Sequence, residues 1–174
     1  LALSTVAFGA LIAFLPLLYA ERHWTGTAGA LAAFGAAYVL MRLAFGGLPD
    51  RVGGRPIAIV SLVIETVGQA LLWRSATPEI ATIGAALTGC GFSLVFPALG
   101  TLAIRKAASL PRGAAMGAYV AFFDLALALT GPVAGLAAEH DGYSTVFLLG
   151  AVGAAASVLL TLVSPQVDTQ THEA

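Results

Sequence analysis

Met41–Val60 reads MRLAFGGLPDRVGGRPIAIV, an apolar run, a charged turn and a second apolar run. The central eleven residues, Gly46–Pro56, hold four glycines, two prolines, two arginines and one aspartate. Glycine and proline turn a chain, and charge keeps a turn in water. The stretch therefore reads as a tight connection at a membrane edge, with a helix entering it and a helix leaving it.

The rest of the chain repeats that arrangement. Hydrophobic residues make up 59% of the 174 residues and charged residues 10%, with a mean hydropathy of +0.91. An ordinary soluble domain carries about 25% charged residues, so this chain lacks the polar material to cover a water-facing surface. A spanning helix needs roughly 20 mainly apolar residues. Six segments qualify: 1–20, 28–48, 56–73, 79–104, 113–138 and 143–163. Their apolar runs are continuous rather than alternating, which favours helices over barrel strands. The expected fold is an all-α six-transmembrane-helix bundle over residues 1–163, followed by a polar, disordered tail over 164–174. Leu1 opens directly into an apolar run with no basic leader, so the chain reads as a fragment beginning at or inside a span.

Basic residues set the orientation. The connections around 48–56 and 105–112 hold Arg51, Arg55, Arg105, Lys106 and Arg112, whereas the opposite side holds Arg22 and Arg74. This asymmetry assigns the richer side, and with it both termini, to the cytoplasm. Trp24 and Trp73 fall at the opposite ends of their segments, where an interfacial aromatic belt belongs.

Three ionisable residues lie inside spans: Arg42, Glu65 and Asp124. A charge near the bilayer centre costs at least about 2.5–3.5 kcal/mol, so each needs a partner, a proton or a water-filled cavity. Counted from the richer side at 1.5 Å per residue, Arg42 and Glu65 lie roughly 12–14 Å deep and Asp124 about 16 Å. The three thus share a layer, and Arg42 and Glu65, on consecutive segments, are expected to pair. One reading is a static pair that fixes helix register. The other is that Asp124, alone or with Glu65 and Arg42, takes up and releases a proton.

The fifth segment places Gly113, Gly117, Ala121, Asp124, Ala128, Gly131 and Gly135 at steps of three and four. Such a stripe is a helix-packing surface in lipid, because small residues let backbones approach. Pro132 follows Gly131 within that segment, and Pro16 and Pro97 interrupt two others, each removing one backbone hydrogen bond. Ser61, Glu65 and Gln69 form a polar face on the third segment.

Enzyme chemistry finds no footing here. There is no HExxH, no GxSxG and no phosphate loop, and Cys90 is the only cysteine. No cofactor, metal or nucleic-acid partner is expected, the net charge being −1 with no basic tract.

The turn itself, Gly46-Gly47-Leu48-Pro49-Asp50-Arg51-Val52-Gly53-Gly54-Arg55, resembles the signature loop of the major facilitator superfamily, G-x-L-x-D-R-x-G-R-R. Gly46, Leu48, Asp50, Arg51, Gly53 and Arg55 match, and Gly54 stands where a basic residue is common. The stretch Gly91–Ala138 resembles a bacterial, arabinose-efflux-permease-like subgroup. The resemblance implies the C-terminal half of a twelve-helix fold, helices seven to twelve, and a missing N-terminal six-helix half. It further implies that the first, second, fourth and fifth segments border a central pathway, with the third and sixth peripheral. Asp50 would engage a helix N-terminus of the other half, and the arginines would join a charge relay holding the outward-facing state. Gly131, Pro132 and Gly135 in GPVAG are similar to a glycine–proline signature of exporters. The implied function is secondary transport of a small organic solute across the bacterial inner membrane by alternating access, as proton-coupled export. Its rivals are a facilitated or ion-coupled uptake carrier for sugars or metabolites, and a non-transporting scaffold or receptor.

Overall fold

The computed structural model describes residues 1–107 and 111–164, and in these the chain is helical. The helices are α1 (Ala2–Glu21), α2 (Thr27–Phe45), α3 (Leu48–Val52), α4 (Gly54–Trp73), α5 (Pro78–Lys106), α6 (Arg112–Asp141) and α7 (Tyr143–Val163). All but α3 are long and apolar enough to cross a bilayer. The polar tail expected over 164–174 lies outside the described residues after Ser164.

Two details differ from the hydropathy reading. The Gly46–Pro56 turn contains a helix of its own, α3, which Gly53 ends at φ +102°. That backbone region suits glycine and few other residues. Several charges expected in connections sit instead on helix ends: Arg105 and Lys106 close α5, and Arg112 opens α6. Hydropathy senses where the hydrocarbon stops, whereas helical hydrogen bonding continues into water.

α1 and α5 form the middle of the bundle. Over their most apolar stretches 56% of α1 and 50% of α5 is buried, against 11% for α2 and for α6. α5 lies between α2 and α4 and packs on both, while α4 also packs on α7 and α1 on α7 and α6. The α4–α5 contact is backbone-close. A Cβ on Gly68 would lie 2.6 Å from the Thr88 nitrogen, and one on Gly91 would lie 2.5 Å from the Ser61 carbonyl. Without a hydrophobic drive between helices in lipid, this close dispersion contact holds the pair together.

Polar side chains complete the fit. Tyr19 on α1 donates its hydroxyl to the Pro78 carbonyl at 2.9 Å, fixing the start of α5. At the same end of the bundle the Arg22 and Arg74 guanidinium groups lie 5.9 and 5.6 Å from the Trp24 and Trp73 ring centres. The prolines Pro16, Pro97 and Pro132 lie within continuous helices.

Candidate functional site

Glu65 is fully buried on the α4 face turned toward α1 and α5. One carboxyl oxygen accepts from the Ser4 hydroxyl at 2.7 Å, and the other, Oε1, has no partner among the described residues. One turn on, Gln69 is equally buried and donates to the Ala7 carbonyl at 3.0 Å, its Oε1 likewise unpartnered. The polar face read on the third segment therefore exists, but it is an internal seam joining α1, α4 and α5.

Arg42 lies elsewhere. Its Nη1 donates to the Ser93 carbonyl on α5 at 2.8 Å, and the Ser93 hydroxyl donates back to the Tyr38 carbonyl on α2, also at 2.8 Å. The expected Arg42–Glu65 pair is not formed. The two helices are consecutive in the long-helix order, but α5 is inserted between them. Arg42 thus clasps α2 to α5, while Glu65 ties α4 to α1.

Asp124 is exposed on α6, as Arg42 is on α2, and among the described residues it makes no hydrogen bond to Arg42 or Glu65. Most of the small-residue stripe around it is exposed as well. Gly113, Gly117 and Gly131 are exposed, and a Cβ added to any of these or to Gly135 would meet no atom within 4 Å. Pro132 is exposed beside them. The stripe runs along one helix as the periodicity implies, and among the described residues no other helix covers it from Gly113 to Gly131, whereas Gly135 is half-buried near Phe14 and Leu17 of α1.

The turn is positioned from below. Arg55, in the first turn of α4, donates from Nε to the Thr161 carbonyl at 3.2 Å and from Nη2 to the Leu162 carbonyl at 2.5 Å. A guanidinium on the last free carbonyls of α7 both satisfies them and complements the negative end of the helix dipole. Pro49 is buried, and Gly54 presses its backbone against Thr101 and Ala98 of α5. Asp50 and Arg51 remain exposed, and Gly46 and Leu48 partly so.

A set of aromatic contacts went unread in the sequence. Phe8 of α1 stacks on Phe92 of α5 with centroids 4.7 Å apart, and Phe92 lies 6.5 Å from Phe123 of α6. Phe123 meets Phe96 edge-on at 5.6 Å, and Tyr38 of α2 reaches Phe92 at 6.4 Å. The Tyr119 hydroxyl donates to the Phe96 carbonyl at 2.7 Å. These rings join α1, α2, α5 and α6, and Phe8, Tyr38, Phe96 and Phe123 keep part of their surface open. The rings come from four separate segments, so no local period could link them.

An apolar helical bundle with a charged turn after its second span and an uncovered face on two helices defines an integral membrane protein of a multi-helix family. A sequence profile described as Major Facilitator Superfamily matches residues 1–173, and the chain belongs to that family. It is 46% identical over 163 residues to an uncharacterized MFS-type transporter of Burkholderia mallei (strain SAVP1), covering 94% of this chain and 40% of that protein. A second uncharacterized MFS-type transporter, from Salmonella typhimurium (strain LT2), is 44% identical over 151 residues, covering 87% of this chain and 39% of the relative. The chain spans about two fifths of the length of these relatives.

Proposed function

We propose that these residues are the C-terminal half of a secondary transporter that moves a small organic solute by alternating access, as proton-coupled export. The observation that carries this reading is the uncovered stripe on α6 with Asp124 at its centre. In lipid, a face of glycine and alanine is a poor surface for acyl chains and a good one for another helix. The chain spans two fifths of the length of its relatives, and on this reading the helix that covers the stripe comes from the rest of the intact protein. Asp124 then lies at the junction of two halves, where a central pathway runs, and the open aromatic rings of α1, α2, α5 and α6 supply apolar wall beside it.

In this reading Asp124 is the proton carrier and Glu65 is structural. An exposed carboxyl on the junction can meet water and protons from alternating sides, whereas Glu65 is sealed between helices and Arg42 is engaged with a backbone carbonyl. Asp50, which is exposed on α3, contacts a helix end of the other half in this reading. The basic residues at this end of the bundle support a cytoplasmic position for it in the inner membrane.

The test is solute flux into or out of proteoliposomes bearing the intact protein, with and without an imposed pH gradient. Gradient-driven counterflow of solute and protons supports the proposal. Gradient-independent equilibration indicates a facilitated carrier, and no flux across a broad solute panel indicates a scaffold or receptor.

A further inference from the structure

Ser93 lies fifteen residues after Pro78 and thirteen before Lys106, the two ends of α5. At 1.5 Å per residue, the carbonyl that accepts from Arg42 is roughly 20 Å from either end of that helix. Long basic side chains in a bilayer normally run out to the headgroups. Arg42 does not, because its guanidinium is tethered to Ser93 at 2.8 Å, midway along α5.

The tether uses one N–H of a planar fork that carries several, and a guanidinium keeps its charge at any pH a cell meets. Among the described residues no carboxylate bonds to it. A cation at that depth is costly unless an anion or water meets it. Arg42 is exposed on α2, so its unspent N–H groups have room for a partner. Their direction is set in advance, since Ser93 is itself held to Tyr38 by its hydroxyl at 2.8 Å.

What lies beside the fork is aromatic. Phe92 precedes Ser93 on α5, Tyr38 precedes Arg42 by one turn on α2, and their ring centres are 6.4 Å apart. Phe123 of α6 lies 6.5 Å from Phe92, its ring tilted 23° from it. Tyr38 and Phe123 keep part of their surface open. A fixed guanidinium next to flat apolar surface complements a molecule with a carboxylate at one end and a flat apolar body.

We propose that Arg42 binds the carboxylate of the transported solute, which is then a small aromatic acid with its ring against Tyr38 and Phe123. That role rests on the transport reading, which puts the α2 and α6 faces on the pathway. An inorganic anion leaves the rings without a role, and a neutral solute leaves the cation unmatched. A carboxyl side chain from the rest of the intact protein is the competing partner, and it would abolish any preference for anionic solutes. Asp124 keeps its separate role as the proton carrier.

The test measures equilibrium binding and flux on the intact protein, with benzoate and naphthoate each set against its amide, and with inorganic phosphate. The carboxylates are expected to bind roughly tenfold or more tightly than their amides, as a charge-assisted hydrogen bond requires. Arg42→Gln is expected to remove that preference, and Arg42→Lys, which keeps the charge but not the fork, to retain part of it. Ser93→Ala leaves the Ser93 carbonyl in place and loosens α2 without touching the cation, so the preference should survive it. No preference for the carboxylate in either pair, a preference that survives Arg42→Gln, one lost in Ser93→Ala, or phosphate binding as tightly as benzoate would each overturn the proposal. Proton-driven flux of the amides as readily as of the carboxylates overturns it while leaving the transport reading standing. Arg42-dependent carboxylate binding with no flux in any gradient supports the site and overturns the transport reading.

Discussion

The Arg42 guanidinium donates to the Ser93 carbonyl, and the Ser93 hydroxyl donates to the Tyr38 carbonyl, so that one residue of α5 is clasped twice by α2. α2 is otherwise thinly buried, and this clasp, with Phe34 pressed on Gly89, fixes its rotation against α5. Ser93→Ala removes the hydroxyl half of the clasp. Interhelical hydrogen bonds in membranes average about 0.6 kcal/mol, and a loss of that order is expected in the unfolding free energy measured in bicelles.

Glu65 and Asp124 should separate cleanly in function. Glu65→Gln preserves shape and the Ser4 contact, so proton-coupled flux should keep its pH dependence. Glu65→Ala removes the side chain from a closed seam and leaves the Ser4 hydroxyl without its partner. It should lower thermal stability by about 1–3 kcal/mol, the typical penalty for an unsatisfied buried polar group. A pH profile of flux and a thermal-unfolding series on the two variants check both statements.

Two glycines of different surroundings test the difference between an internal seam and an external one. Gly68→Ala puts a methyl 2.6 Å from the Thr88 nitrogen, so α4 and α5 must move apart. Overpacking of this kind costs typically 1–3 kcal/mol, and residues 1–174 should lose thermal stability accordingly. A Cβ at the exposed Gly117 meets nothing within 4 Å in these helices, so Gly117→Leu should leave their stability unchanged. In the intact protein Gly117→Leu should impair flux, because on the proposed reading a further helix lies against the α6 stripe. For the same reason residues 1–174 reconstituted alone should not transport.

Arg55 and Asp50 share a turn but should fail differently. Arg55→Ala uncovers the Thr161 and Leu162 carbonyls and removes a cation from a helix C-terminus, a loss of about 0.3–2 kcal/mol depending on exposure. It should appear as faster hydrogen exchange at the end of α7. Asp50 is exposed and its side chain makes no hydrogen bond among the described residues, so Asp50→Asn should leave exchange unchanged while slowing transport by the intact protein.

The helices were legible because hydrocarbon thickness writes itself into run length, and Leu1–Ala20 or Tyr143–Val163 admit no other reading. The stripe on α6 was legible for a similar reason, since helical period is a local property. The neighbours of each helix were not. Nothing in the order of segments says that α5 comes between α2 and α4, and an Arg42–Glu65 pair inferred from consecutive helices fails on that point. The ring contacts of Phe8, Phe92 and Phe123 were hidden likewise, because long-range packing is settled by the whole bundle. α3 was hidden by composition: LPDRV has the proline and charges of a turn, and five helical residues leave no periodic trace.

On the proposed reading Asp124, on the uncovered face of α6, couples solute movement to protons. The direct measurement is solute flux in proteoliposomes of the intact protein and its Asp124→Asn variant, each with and without an inward pH gradient. Gradient-driven flux is expected for the native protein, and flux without gradient dependence, or none, for the variant. Equal dependence on the gradient in both would contradict it.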